Sequence, residues 1–303
     1  MRFNKFDMNL LVVLDALLTE RNITRAGEKL FLSQSATSGA LARLREYFDD
    51  QLLVQVGRKM VLTPLAESLV KPVRSLLIQA RATLETRPDL DPAQSTRKIT
   101  IIMSDYTSMV VMPEVTRRAS KQAPGISFEI LSPGDDPMTE LDQGNVDFLL
   151  MPGTFLSDRH PKATLFTEQF VCICDNDNAL VGDTIAGGEY EALGHIAVGF
   201  GSHGRPGIDS VLTERAGIDR RVDVTVNAYS LVPQYVLGTE RIATVHKRLA
   251  EFWAQFLPIR AVQPLFELPS IPWCLQWHQY RDMDPITLWV RDLMMEVMTP
   301  ATD

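Results

Sequence analysis

The chain has 303 residues, 45% of them hydrophobic and 22% charged, which excludes a disordered or fibrous protein and is too long for one average domain. Its apolar runs stop short of a bilayer span, and three cysteines (Cys172, Cys174, Cys274) have no metal-ligand spacing and are too few for a disulfide framework. The net charge of -8 hides an asymmetry: residues 1–98 carry 15 Lys+Arg against 11 Asp+Glu, a balance of +4, and residues 99–303 carry 15 against 27, a balance of -12.

Only that basic head is a candidate for meeting phosphate. The first residues, Arg2, Asn4, Lys5 and Asp7, do not form a signal-peptide core, so the expected location is the cytoplasm. Leu10, Leu11, Leu14, Leu17 and Leu18 mark one face of a first helix, capped by Asp7 and ending near Arg21. Asn22 caps a short second helix with Ile23, Ala26 and Leu30 at helical spacing. Ser33 caps a third, from about Gln34 to Tyr47, with Ala36, Ala40, Leu44 and Phe48 predicted to face inward. Its outward face carries Gln34, Ser35, Thr37 and Ser38, short polar side chains that can approach base edges closely in a major groove. Residues 52–56 and 60–62 flank Gly57-Arg58-Lys59, a hairpin with two cations at its tip, which reads as a wing aimed at the sugar-phosphate backbone.

Thr63-Pro64 opens a long helix with an apolar seam of Leu65, Leu69, Val73, Leu76, Ala80 and Leu84. One seam on a polar helix needs a partner, and a twin helix is the expected one; Pro72 should bend it. The stretch from Arg87-Pro88 to Gln94-Ser95 reads as a hinge.

From residue 98, short apolar runs at 99–103, 128–131, 146–151, 170–174, 196–200 and 222–226 alternate with helical stretches, which predicts an α/β domain with mainly parallel sheets. There is no G-x-S-x-G elbow, phosphate loop or H-E-x-x-H, and Gly199, Gly201, Gly204 and Gly207 make no dinucleotide fingerprint. No catalytic, metal or cofactor site is therefore expected. Polar residues fall instead at strand ends. Ser104-Asp105 follows the first strand, where a helix start can hold an anionic or phenolic oxygen or simply be capped. Thr107, Gln169, Gly201-Ser202-His203, Asn227, Tyr229, Thr244, Arg248, Trp273, Gln276 and Trp277 complete a candidate pocket. The two tryptophans either stack on a ring or fill the core. Cys172 and Cys174 share one face of a strand and read as structural.

The motifs Asn9-Leu10-Leu11, Asn22-Ile23-Thr24-Arg25-Ala26, Leu32-Ser33-Gln34-Ser35-Ala36-Thr37-Ser38, Leu41 to Arg45 and Thr63-Pro64 resemble the LysR-type regulators. Asp91-Pro92-Ala93-Gln94-Ser95, His160-Pro161-Lys162-Ala163-Thr164-Leu165-Phe166 and Val171-Cys172 resemble the branch of the nodulation activators and the aromatic-catabolism regulators. Gly27-Glu28 departs from the small or apolar residues usual there and should affect packing of the second helix. The resemblance implies a winged helix-turn-helix over 1–63, a linker dimerisation helix over 64–87, a hinge over 88–97 and an effector domain over 98–303. That domain would have the two-lobed α/β fold of periplasmic solute-binding proteins, with lobe I at 98–167 and 271–303 and lobe II at 168–270. It further implies promoter DNA, a small aromatic effector and RNA polymerase as partners, and a homodimer or homotetramer. Groove contacts would come from Ser33, Gln34, Ser35, Thr37 and Ser38, and phosphate contacts from Arg43, Arg45, Arg58 and Lys59. For the effector, a phenol or benzoate inducer of catabolic genes is favoured over a flavonoid signal.

Overall fold

The computed structural model describes residues 6–85 and 91–299. The opening residues Arg2, Asn4 and Lys5, the start of the expected hinge at 87–90 and the last four residues lie outside them. The chain divides into two compact units, 1–86 and 87–303.

In the first unit, α1 (Asn9–Glu20), α2 (Ile23–Lys29) and α3 (Gln34–Phe48) precede a hairpin of β1 (Leu53–Val56) and β2 (Lys59–Leu62) and the long α4 (Pro64–Glu85). Leu10, Leu11, Leu14, Leu17 and Leu18 of α1 are all buried, as their spacing requires, and each such side chain contributes about 1.5–3 kcal/mol on leaving water. Asn22 Oδ1 accepts from the Arg25 amide and Ser33 Oγ from the Ala36 amide, so these two predicted caps form. The third differs: Met8 and not Asp7 is the N-cap of α1, and Asp7 Oδ1 accepts from the Asn9 amide at 3.0 Å. The inner face of α3 differs from the prediction by one position. Thr37, Leu41 and Leu44 are buried and Ala36 is exposed. The cause is Gly27: a Cβ there would lie 2.7 Å from Thr37 Oγ1, so the missing side chain on α2 makes the slot that Thr37 occupies. Thr37 Oγ1 then donates to the Ser33 carbonyl, which satisfies the buried hydroxyl.

Gly57 holds φ +63° in the two-residue turn of the hairpin, whose register pairs Val56 with Lys59. Lys59 therefore begins β2, and Arg58 alone shares the tip with Gly57. Thr63 Oγ1 accepts from the Ala66 amide and starts α4, which runs unbroken through Pro72. Ala66 and Val73 pack, with Leu69, Val70 and Leu77, into the same core as α1. The predicted seam is thus divided: part of it closes the head, while Leu65, Leu76 and Leu84 remain exposed.

The second unit holds two sheets. Lobe I contains β3 (Lys98–Met103), β4 (Ser127–Leu131), β5 (Phe148–Pro152), β6 (Lys162–Glu168) and β14 (Ile271–Trp277) in the order β4-β3-β5-β14-β6. Helices α5 (Asp105–Gln122), α6 (Pro137–Asp142) and α11 (Pro285–Met298) belong to this part of the chain. Lobe II is built on β7 (Phe170–Asp175), β8 (Thr184–Ile185), β9 (Gly194–Phe200), β10 (Arg205–Pro206), β11 (Arg221–Val226), β12 (Ile242–His246) and β13 (Ile259–Pro264), with α7 (Gly187–Ala192), α8 (Ile208–Arg215), α9 (Val232–Val236) and α10 (Lys247–Trp253). Its strand order is β10-β9-β12-β7-β13-β8, with β11 on β9.

The sheets are mixed, not mainly parallel. β14 runs antiparallel to β5 and β6, and β7 antiparallel to β12 and β13. These are the strands by which the chain crosses between lobes, so each enters its sheet from the opposite end. Lobe I is tied at the base of β3 by Arg97, which bonds Asp147 at 2.6 Å and also Asp284, the cap of α11. Among the described residues no helix is long and apolar enough to cross a membrane.

Candidate DNA-binding face and interlobe cleft

The sequence places an N-terminal α3 face of small polar groups beside a cationic hairpin. Ser33, Gln34, Ser35 and Ser38 are exposed together on the first turns of α3. Ser33 Oγ also lies 3.0 Å from Ser35 Oγ, so these hydroxyls are partly preorganised. Arg58 and Lys59 are exposed on the hairpin and, among the described residues, make no ion pair. Arg43 is exposed and lies 3.3 Å from Asp7, a pair weak enough in water for another anion to replace it. Two expected contacts are corrected. Thr37 is wholly buried against Gly27 and cannot reach a base. Arg45 donates to the carbonyls of Gln51 at 2.8 Å and Leu53 at 2.9 Å, so its guanidinium ties α3 to β1 instead of facing phosphate.

In the second unit the C-terminal ends of β3, β5 and β9 converge on one cleft between the lobes, the position open α/β sheets offer to ligands. Its walls include Leu150, Met151, Phe155, Phe200, Tyr229 and Trp273. Of the predicted effector residues, Ser104, Tyr229 and Trp273 line it. Ser104 caps α5 and shares its hydroxyl with Thr107 Oγ1 at 2.8 Å.

Two carboxylates of lobe I cross the cleft to amides of lobe II. Asp105 accepts from the Tyr229 amide at 3.1 Å and the Ser230 amide at 2.7 Å. Asp135 accepts from the Ser202 amide at 2.8 Å and the Ser202 hydroxyl at 2.5 Å, bonds that hold its carboxyl below the usual carboxylate range. Gly201, at φ +74°, is where a Cβ would strike Asp135 at 2.3 Å, so this latch needs glycine. Asp105, Gly201 and Ser202 are therefore joints between the lobes. Asp135 was not predicted; its signal was the adjacent pair Asp135-Asp136 after Pro133-Gly134 in a loop.

Behind the cleft wall His246 is fully buried among rings: stacked on Tyr106 at 3.6 Å, and edge-on to Tyr229 at 4.5 Å and Trp273 at 5.2 Å. Neither of its ring nitrogens finds a hydrogen-bond partner, and burial pushes its pKa well below the ordinary value of about 6.5. The Trp273 indole N–H is likewise buried without a partner. Tyr106 donates to Glu168, and burial together with that carboxylate keeps the phenol protonated.

The other candidates lie elsewhere. Thr107, Thr244, Gln276 and Trp277 are buried and bonded internally: Thr107 to Ser104, Thr244 to Tyr190 at 2.7 Å, Gln276 to the carbonyls of Ser157 and His160, and Trp277 to Asp282 at 3.0 Å. None of these four lines the cleft: α5 turns Thr107 into the core, Gln276 lies on the face of β14 opposite Trp273, Trp277 shares the face of Trp273 but lies four residues farther along the strand, and no residue of β12 reaches the cleft. Gln169 and Arg248 line a separate groove at the crossover, where Arg248 lies 3.3 Å from Glu168. His203 and Asn227 are exposed and do not line the cleft. Arg205 and Phe200 do line it and were missed, although the glycine-rich stretch 199–207 around a lone arginine was visible. Cys172 and Cys174 are buried, and burial pushes the Cys172 thiol up to about 12, the opposite of a redox-reactive thiol.

A winged helix-turn-helix on one unit and a two-lobed α/β cleft on the other define a DNA-binding transcription regulator that carries its own substrate-binding domain. The chain belongs to the LysR family of bacterial regulators: residues 8–67 match the bacterial regulatory helix-turn-helix of the lysR family and 92–299 the LysR substrate binding domain. It is 40% identical over 296 residues to Nodulation protein D of Bradyrhizobium sp. (strain ANU 289), covering 98% of this chain and 88% of that one. It is 41% identical over 302 residues to Nodulation protein D 1 of Mesorhizobium japonicum, covering 100% and 96%. Among solved structures it resembles a probable transcriptional regulator from Pseudomonas aeruginosa (27% identity, TM-score 0.64, 96% of this chain and 98% of that one). It also shares its fold with the LysR family regulator CbnR in complex with target DNA (14% identity, TM-score 0.53, 97% and 100%).

Proposed function

We propose that this chain is a nodulation-type activator whose interlobe cleft takes a flavonoid-like aromatic effector. The observation that carries this reading is the 40% identity to Nodulation protein D along 98% of the chain. A cleft walled by aromatic and aliphatic side chains agrees with a flat, ring-containing ligand. The catabolic phenol or benzoate inducer expected from the sequence has less support, because the curated relatives named above are nodulation proteins.

Ser33, Gln34, Ser35 and Ser38 meet the major groove in this reading, and Arg43, Arg58 and Lys59 the phosphates. The exposed Leu65, Leu76 and Leu84 of α4 pair the chain with a second copy, in a dimer or tetramer that presents two heads to promoter DNA and contacts RNA polymerase. Effector binding works by favouring one setting of the Asp105 and Asp135 latches over another, since a ligand indifferent to lobe position shifts nothing.

Two measurements test the reading. A flavone panel should raise the melting temperature of the full chain and a phenol and benzoate panel should not, because a ligand selective for the folded state stabilises it by mass action. The reverse pattern returns the catabolic inducer. Separately, Arg58→Ala should weaken binding to specific and random duplexes alike and reduce the slope of log affinity against log salt by about one. An unchanged slope removes Arg58 from the phosphate contacts.

A further inference from the structure

Arg205 is the sole charged residue among those lining the cleft, and it stands at the start of β10, paired across the backbone with Phe200. Its side chain is half-buried and, among the described residues, makes no hydrogen bond or ion pair. The carboxylates of the 135–136 loop are committed elsewhere. Asp136, whose charge Arg205 helps to stabilise, accepts from the Thr139 amide at 3.1 Å and the Thr139 hydroxyl at 2.5 Å, and Asp135 is held by Ser202. Of the cleft's hydroxyls, that of Ser104 is engaged with Thr107, and that of Tyr229 lies against Gly207. Among the residues lining this apolar cleft the charged donors therefore belong to one guanidinium, and the unpartnered indole N–H of Trp273 is a neutral donor beside it.

A ligand that fills the cleft strips water from that guanidinium. A wholly apolar ligand returns nothing for the lost hydration, which makes its binding costly. A ligand with a carboxylate or an ionised ring hydroxyl at that end forms charge-assisted bonds to the planar fork instead. We infer that Arg205 is the specificity-determining residue of the cleft and selects aromatic effectors that carry an anionic group. This deepens the reading of the cleft as the effector site and rests on it.

The test uses the full chain and a matched pair of probes, naphthalene-2-carboxylate and naphthalene-2-carboxamide, titrated calorimetrically into the wild type, Arg205→Gln and Arg205→Lys. Circular dichroism and the melting temperature report that each variant is folded. The carboxylate should bind the wild type at least about tenfold more tightly than the amide, in line with a hydrogen bond to a charged group. Arg205→Gln should erase that preference while leaving the amide unchanged, and Arg205→Lys should keep part of it. Equal binding of the two probes, a preference that survives Arg205→Gln, or no binding of either overturns the inference. If the carboxylate preference holds and depends on Arg205 while no flavone binds, the flavonoid reading fails and this one stands.

Discussion

Arg97→Ala should cost about 3 kcal/mol of stability in the effector domain at neutral pH, the lower end of the range for breaking a buried ion pair by removing one partner. Arg97 is mostly buried and lies 2.6 Å from Asp147, while its other amino group bonds Asp284. Desolvation works against its charge, but the two carboxylates outweigh that and raise its pKa, so it is charged whenever the protein is folded. Without it, two buried carboxylates face each other. Arg281, 3.6 Å from Asp147 and 3.3 Å from Asp284, remains and limits the loss. The damage should spread, because Asp147 also accepts from the Thr100 amide at the start of β3, and Asp284 caps α11 through the Ile286 amide. At about 2–4 °C per kcal/mol for a domain of this size, the melting temperature should fall by roughly 6–12 °C. Ser104 lies at the other end of β3, so the affinity of the remaining folded molecules for a cleft ligand should not change. A loss below about 1 kcal/mol in urea unfolding would sink the account.

That triad was not legible beforehand, since Arg97, Asp147 and Asp284 are far apart in the chain and each looks like an ordinary surface charge. The head was far more legible. Its helix caps, the leucine face of α1 and the glycine turn of the hairpin are local signals, fixed by neighbours within four residues. The head departs from its local signals where a second element decides the outcome. Gly27 on α2 chose Thr37 over Ala36 as the buried position of α3, and the backbone after α3 claimed Arg45. In the effector domain the runs of apolar residues located six strands, but direction depends on which lobe a strand comes from, and no local pattern carries that.

The cleft separates the same way. Ser104, Tyr229 and Trp273 follow from the rule that ligands meet strand ends. Asp105 looked like a ligand anchor because a carboxylate at a helix start is conspicuous, yet two amides 124 and 125 residues away occupy it. Arg205 has no such local signal, because its importance lies in what its surroundings fail to offer it. Asp105, Asp135 and Arg205 together give the cleft a coherent chemistry: the acids close it, and the base is left to meet what enters.

His246→Phe should make the effector domain less sensitive to acid. A histidine whose folded pKa lies below its unfolded value binds its proton only on unfolding, so its contribution is fully present above about pH 6.5 and is lost as pH falls below it. The maximum slope is about 1.4 kcal/mol per pH unit for each such group. The titratable groups facing His246 do not offset this. Tyr106 and Tyr229 are both held in their neutral forms by burial, and Glu168 and Arg248 lie beyond Tyr106, paired with each other. His195 and His278, each pushed down to about 4 by burial, act in the same direction, so the wild type carries three acid-sensitive histidines. Phenylalanine keeps the stack on Tyr106 and cannot take a proton. The informative quantity is the stability difference between His246→Phe and the wild type, measured by urea unfolding from pH 8 to pH 5, because groups common to both proteins cancel in it. That difference should be flat above about pH 6.5 and should then move in favour of the variant by up to about 2 kcal/mol at pH 5. Parallel curves throughout would mean that His246 is reached by a proton in the folded state, and the ring cage behind the cleft would then have to open on its own.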